Sequence, residues 1–271
     1  MIFCKELNKE FATKEEMFLA LKANKDKIIG LKKAAIKDSE NSAFFFRASK
    51  EATKGLESTK GLGIGDTLYP VINTTYLLDS HGDLHVDGIW DNSLKDQAGK
   101  LYYAVDHQLK FGMIVSYPHE VDAFAQTMNW TDLGKDWPGT TQALIYKIQV
   151  TDKSNTDFVK AVADGVPLEN SVRMQYVDME LCVDSDAKEL ALEKANFYKH
   201  LPLIANKEHA MSEGYFWAIK QAKIIKEGSA VFAGSNFVTP ILPNDPAGAG
   251  QKDQQIPPEG RTVKSNSHNL I

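Results

Sequence analysis

"LYYAVDHQLKFGMIVSYP", residues 101–118, runs almost without a break in strand-forming Tyr, Val, Phe and Ile, yet carries Asp106 and His107 at its middle. The enrichment in β-branched and aromatic residues predicts a strand with a buried face. An imidazole in such a strand has two readings. It is a core histidine satisfied by hydrogen bonds, or it is a general base that needs a nucleophile and an orienting partner from elsewhere in the chain.

Similar runs lie on both sides. "TLYPVINTTYLLD", "TQALIYKIQVTD", "NSVRMQYVDMELCVD" and "YFWAIKQAKIIKEGSAVFAGS" are rich in Val, Ile, Tyr, Phe and Thr, with alternation in several places. They predict an α+β fold built on a mostly antiparallel β-barrel flanked by helices. From about Asn8 to Lys37 the spacing is helical, and Thr13 followed by Glu16 reads as a capping box for a helix starting near Lys14. "NTDFVKAVADGV" predicts a short helix that ends at Gly165, and residues 186–215 predict a second helical segment. The organisation expected is an N-terminal helical extension and linker over 1–66, a β-barrel domain over 67–240 and a disordered tail over 241–271. The tail is expected because "PNDPAGAGQKDQQIPPEG" has too little apolar surface to offset its ordering entropy. The cluster "KGLGIGD" lacks the Gly-Lys-Ser/Thr ending of a phosphate loop and reads as a linker or turn.

The composition, 43% hydrophobic and 25% charged over 271 residues, is that of an ordinary globular chain. A formal net charge of -5 argues against a broad nucleic-acid surface, and the lysines of "LKANKDKIIGLKKAAIKDSE" read as a solvated helix face. Cys4 and Cys182 form neither a metal spacing nor a disulfide framework, as expected of a reducing compartment. No apolar run reaches the roughly 18 residues of a membrane span, and "MIFCKELNKEF" has charges where a signal peptide has its apolar core. Action in the cytoplasm is therefore expected.

A nucleophile for His107 is available in "VADGVPLENSVRMQYV", where Ser171 stands at the start of a strand after a helix and turn. Serine needs an adjacent imidazole to take its proton during attack, and a rigid strand start fixes its angle. A rival constellation is "DSHGDLHVD". His81 and His85, four apart among Asp79, Asp83 and Asp87, would share a helix face and suit a metal-dependent hydrolase, but Gly82 and Gly88 favour a surface turn between strands.

Taken in order, "GDLHVDGIWDNSL", "VDHQLKFG", "KAVADGVPLENSVRMQYV" and "IIKEGSAVFAGSNFVTP" resemble the prohead, or capsid maturation, proteases of tailed bacteriophages, serine peptidases similar in fold to the herpesvirus assemblins. The resemblance covers roughly residues 70–240. It implies Ser171 as nucleophile, His107 as base and then acid, and an acidic third member, best matched by Glu227 of "EGSAVFAGSN". Asp106, Asp178 and Glu180 compete for that third place, with His119 an outside candidate. Strand alternation counts against the first three, because it sets Asp106 on the face opposite His107, and Asp178 and Glu180 on the face opposite Ser171. Arg173, on the face of Ser171, is implied as an oxyanion support, or else pairs with a surface carboxylate.

No cofactor and no metal are expected. The partners implied are the major capsid protein and scaffold as substrates, together with further copies of the chain, and neither nucleic acid nor membrane. The location implied is the host cytoplasm, inside the immature prohead. A non-enzymatic capsid-assembly scaffold protein is the alternative reading.

Overall fold

The structure is a computed structural model that describes residues 1–38, 63–242 and 244–246. The chain opens with a small hairpin, β1 (Ile2–Cys4) and β2 (Lys9–Phe11), then α1 (Lys14–Ala23), α2 (Lys25–Ala34) and the two-residue β3 (Ile36–Lys37). Next come β4 (Thr67–Thr74), β5 (Asp83–His85), α3 (Asp91–Gln97), β6 (Tyr102–Val105), β7 (Ile114–Ser116), β8 (Val121–Asn129) and β9 (Thr140–Gln149). The last part contains α4 (Thr156–Ala163), β10 (Glu169–Val183), α5 (Ala191–His200), α6 (Lys207–Glu213), β11 (Tyr215–Val231) and β12 (Ile241–Leu242).

The fold is α+β, and the described residues form two main sheets beside the β1–β2 hairpin. The larger runs β3-β10-β11-β6-β7, and β5 also pairs with β11. The long β11 is its spine. One edge of β11 is paired antiparallel with β10, while the other is shared by β5 at Trp217–Ile219 and β6 at Glu227–Ala230, both parallel. The smaller sheet, β12-β4-β9-β8, is antiparallel throughout. A mostly antiparallel single barrel therefore gives way to a mixed sheet stacked on an antiparallel one. Parallel pairs need long crossovers, and here the chain supplies them between β5, β6 and β11.

The sheets meet closely at Gly228. A Cβ there would lie 2.9 Å from Ile72 Cγ2 and 3.1 Å from Tyr146 Cε2 of the smaller sheet, so no larger residue fits without displacement. The space between the sheets is filled by Ile72, Leu144, Tyr146, Val172, Met174 and Tyr103, all buried. Met17, Phe18 and Leu21 of α1 join the same core, and β3 extends the larger sheet at Met174 and Gln175. The first 38 residues, read from sequence as a helical extension, are thus packed into the main body.

Local signals explain several elements. Thr13 Oγ1 accepts the Glu16 N–H at 3.2 Å and starts α1 at Lys14. Asn155 caps α4 in the same way through the Phe158 N–H at 2.7 Å, and Gly165, at φ +70°, turns the chain toward β10. The helical pattern expected over 8–37 is interrupted, because Lys9–Phe11 form a strand and Asn24 separates two helices. At the other end, Ile241 and Leu242 pair with β4 and Leu242 is buried, so the ordered chain runs past the expected boundary at 240. Residues 243 and 247–271 of the expected tail, and 39–62 with Lys60, Gly61 and Leu62 of the glycine cluster, lie outside the described residues, while Gly63–Asp66 form a turn in which the Asp66 N–H donates to the Gly63 carbonyl at 3.2 Å.

Candidate active site

The stretch 101–118 is a hairpin with a turn at its middle. After β6 the chain folds back at Val105–Gln108, where the Gln108 N–H donates to the Val105 carbonyl at 3.0 Å and the two central residues, Asp106 and His107, have φ of +51° and +55°. Positive φ at both central positions is the requirement of a type I′ turn, a conformation that non-glycine residues enter at a cost of about 1 kcal/mol or more each. Asp and His are among the non-glycine residues that enter it most readily. His107 therefore leaves the strand plane. The premise that Asp106 and His107 alternate along a strand is corrected by this turn.

The turn is held by β11. The Asp106 N–H donates to the Ala230 carbonyl at 3.0 Å, and the His107 N–H donates to Ser229 Oγ at 3.1 Å. The His107 ring then meets Glu227, with Nδ1 2.8 Å from Oε1 and the two side chains 1% and 0% exposed. Ser229 Oγ donates to the second carboxylate oxygen, Oε2, at 2.6 Å. His107 Nε2 is buried and has no hydrogen-bond partner among the described residues. A buried polar atom left so costs about 1–3 kcal/mol, and in native structures such atoms mark strain, water sites or chemistry.

The order Glu227-Gly228-Ser229 follows from the sheet. Gly228 is the residue pressed between the sheets, so its neighbours Glu227 and Ser229 point to the opposite face. Just before them, the pairing jumps from Val172↔Gly228 to Met174↔Ile224, with Lys226 at φ +68°. This bulge sets the direction of Glu227.

Ser171 is the direct partner of Ser229 across the β10–β11 ladder. Residues opposed in an antiparallel pair share a face with Cβ atoms about 4.5–5.5 Å apart, so Ser171 lies on the face of Ser229 and Glu227. It is 9% exposed and opens on a pocket whose lining includes Lys37, Asp38, Asn73, His81 and Asn236. His107 and Glu227 are in direct contact. Ser171 stands one ladder position across from Ser229 and is hydrogen-bonded to neither of them among the described bonds.

Arg173 follows two residues along β10, with Nε 4.0 Å from Asp38 Oδ2 and no hydrogen bond from that nitrogen among the described residues. Of the competing acids, Asp106 shares the turn with His107, whose Nδ1 is taken by Glu227, and the other two lie elsewhere. Asp178 and Glu180 pair with Lys220, and Glu180 also with Lys199 and His200, toward the far end of β10. His119 is exposed, stacked on Tyr117 and 3.6 Å from Glu120.

The rival constellation is a buried network. Asp83 is fully enclosed and bonded by Lys32 and by the Tyr176 hydroxyl, with Lys37 3.9 Å away. Burial pushes its carboxyl up, but the lysines outweigh this and hold it near 2. Asp79 moves the other way, up to about 6, through burial and the charge of Asp83. His85 has Asn73 on one nitrogen and the Tyr176 hydroxyl on the other, and burial lowers its pKa. Among the described residues, no three His, Cys, Asp or Glu side chains converge as a metal would require.

Sequence reasoning did not single out Ser229, although it stood in the quoted motif. Its signal is the alternation Glu-Gly-Ser in a strand, which sets the two polar residues on one face. No family model, no curated protein and no solved structure matches the chain. No helix among the described residues is long and apolar enough to cross a membrane.

Proposed function

We propose that the chain is a serine endopeptidase of the prohead-maturation type, with an assemblin-like arrangement of Ser171, His107 and Glu227. One observation carries this reading. A buried imidazole is fixed by a carboxylate at Nδ1, its Nε2 has no partner among the described residues, and a serine lies on the neighbouring ladder row. That is the division of labour required of a base that must accept a proton from a hydroxyl.

In the proposed reaction, Ser171 Oγ attacks the scissile carbonyl carbon and its proton passes to His107 Nε2. Nδ1–H stays on Glu227, whose charge stabilises the imidazolium. Collapse of the tetrahedral intermediate breaks the C–N bond, and Nε2 returns the proton to the leaving amine. Water, deprotonated by the same nitrogen, then attacks the acyl carbon, the bond to Ser171 Oγ breaks, and Nε2 returns the proton to Oγ as the acyl group leaves as a carboxylic acid. Arg173, two residues along β10, supplies positive charge toward the oxyanion.

The proposed substrates are the major capsid and scaffold proteins, and the chain itself, inside the immature prohead in the host cytoplasm. Co-expression with a major capsid protein of a tailed bacteriophage, read by intact mass, tests this. The wild type is expected to shorten the capsid protein or itself, while Ser171→Ala leaves both at full length. Equal masses in the two samples would return the chain to the capsid-assembly scaffold reading.

A further inference from the structure

Glu227 and His107 meet in a setting that does not hold them by packing alone. His107 sits second in a turn with two consecutive positive-φ residues, neither a glycine, and Glu227 follows a bulge with a third such residue, Lys226. Both segments need an external restraint to keep one geometry. The Ser229 hydroxyl touches both. It donates to Glu227 Oε2 at 2.6 Å and accepts the His107 main-chain N–H at 3.1 Å.

We infer that Ser229 is the positioning residue of the site, a single hydroxyl that fixes the carboxylate and the main chain of the histidine relative to each other. A hydroxyl has one proton to give and lone pairs to receive, and here the proton goes to the carboxylate while a lone pair takes the N–H. With Oε2 occupied, Oε1 is the oxygen left to face Nδ1. The His107 N–H bond, with the Asp106 N–H to Ala230 carbonyl bond beside it, fastens the turn to β11. Ser229 is fully buried, so water does not take over either bond from outside. Its opposite number in the ladder is Ser171, so the restraint lies on the row of the nucleophile.

This role rests on the serine peptidase reading, and the experiment separates the two. Full-length wild type, Ser229→Ala, Ser229→Cys and Ser229→Thr are compared by thermal melting, by the rate of Ser171 modification with diisopropyl fluorophosphate, and by the downfield NMR resonance of the His107 Nδ1 proton. Ser229→Ala is expected to be modified about 10- to 100-fold more slowly and to lose the resonance through exchange, while Ser229→Thr recovers both. Ser229→Cys, close to serine in size but a weak donor, is expected to follow Ser229→Ala and serves if the alanine variant does not fold.

A resonance and a modification rate that are the same in folded Ser229→Ala or Ser229→Cys as in wild type would overturn the role. If wild type is not modified at all, yet the resonance still depends on Ser229, the positioning stands and the peptidase reading falls. If modification is present and indifferent to Ser229, the peptidase reading stands and the positioning falls.

Discussion

Two buried histidine and carboxylate clusters lie along β11, toward opposite ends, and they differ in how completely they are bonded. At the start of the strand, His85 has a polar neighbour at each ring nitrogen, and Asp83 is shared among Lys32, Lys37 and Tyr176. At the end, His107 has Glu227 at Nδ1 and, among the described residues, no hydrogen-bond partner at Nε2. The first cluster ties β3, β4, β5, β10 and α2 together, and both ring nitrogens of His85 face polar partners. The second has a base with one nitrogen oriented and the other available. Histidine burial alone does not tell these roles apart; the open nitrogen does.

The largest effect expected separates the clusters by activity. His107→Ala and Ser171→Ala are each expected to lower processing of a co-expressed capsid protein by about a thousand-fold or more, and Glu227→Gln by a comparable amount, read on folded protein because the buried His107–Glu227 pair also contributes to stability. His85→Gln, which keeps a polar side chain at the bonded-out cluster, is expected to retain processing wherever it folds. Loss of processing in folded His85→Gln equal to that of His107→Ala would break the comparison.

Next comes stability. Asp83→Asn leaves Lys32 and Lys37, 12% and 23% exposed, around a neutral side chain, and is expected to cost about 3–5 kcal/mol in chemical denaturation. A loss below about 1 kcal/mol would show that the network is not the structural tie described. Gly228→Ala is expected to cost about 1–3 kcal/mol through overpacking against Ile72 and Tyr146, and to slow processing by tilting Glu227 and Ser229.

The smallest effect expected is in pH dependence. The Asp79 carboxyl is raised in the folded state to about 6, so its folded form takes up a proton that the unfolded chain does not. Its contribution is complete below about 4 and is lost as pH rises through 6. Asp79→Asn keeps an oxygen for the His81 and Asp83 N–H groups that Oδ1 now accepts. Relative to wild type, the variant is expected to gain a few degrees in melting temperature between pH 4 and pH 8, and an unchanged difference across that range would contradict the assignment.

Much of this was legible where physics is local. Thr13 and Glu16 announced α1, the Phe158, Val159 and Val162 spacing with Gly165 announced α4, and the long aromatic and β-branched runs announced β4, β9, β10 and β11. The candidate triad was named from motif order, and the geometry sets two of its members in contact. What escaped depends on distant partners. Parallel pairing of β5 and β6 with β11 has no sequence signal, and it converts the expected antiparallel barrel into a mixed sheet. The split of residues 101–118 was masked by Phe111 and Met113, apolar residues that continue the strand-like composition through a turn. Asp83 and His85 looked like a surface turn because their burial depends on Lys32 and Lys37, about fifty residues earlier.

The most direct test of the central claim is where diisopropyl fluorophosphate reacts with the full-length chain, read by intact mass and a peptide map. A single adduct on Ser171, absent from His107→Ala, is the result predicted. No adduct on wild type, or one on Ser171 that forms as fast in folded His107→Ala, would contradict activation of Ser171 by the open nitrogen of His107.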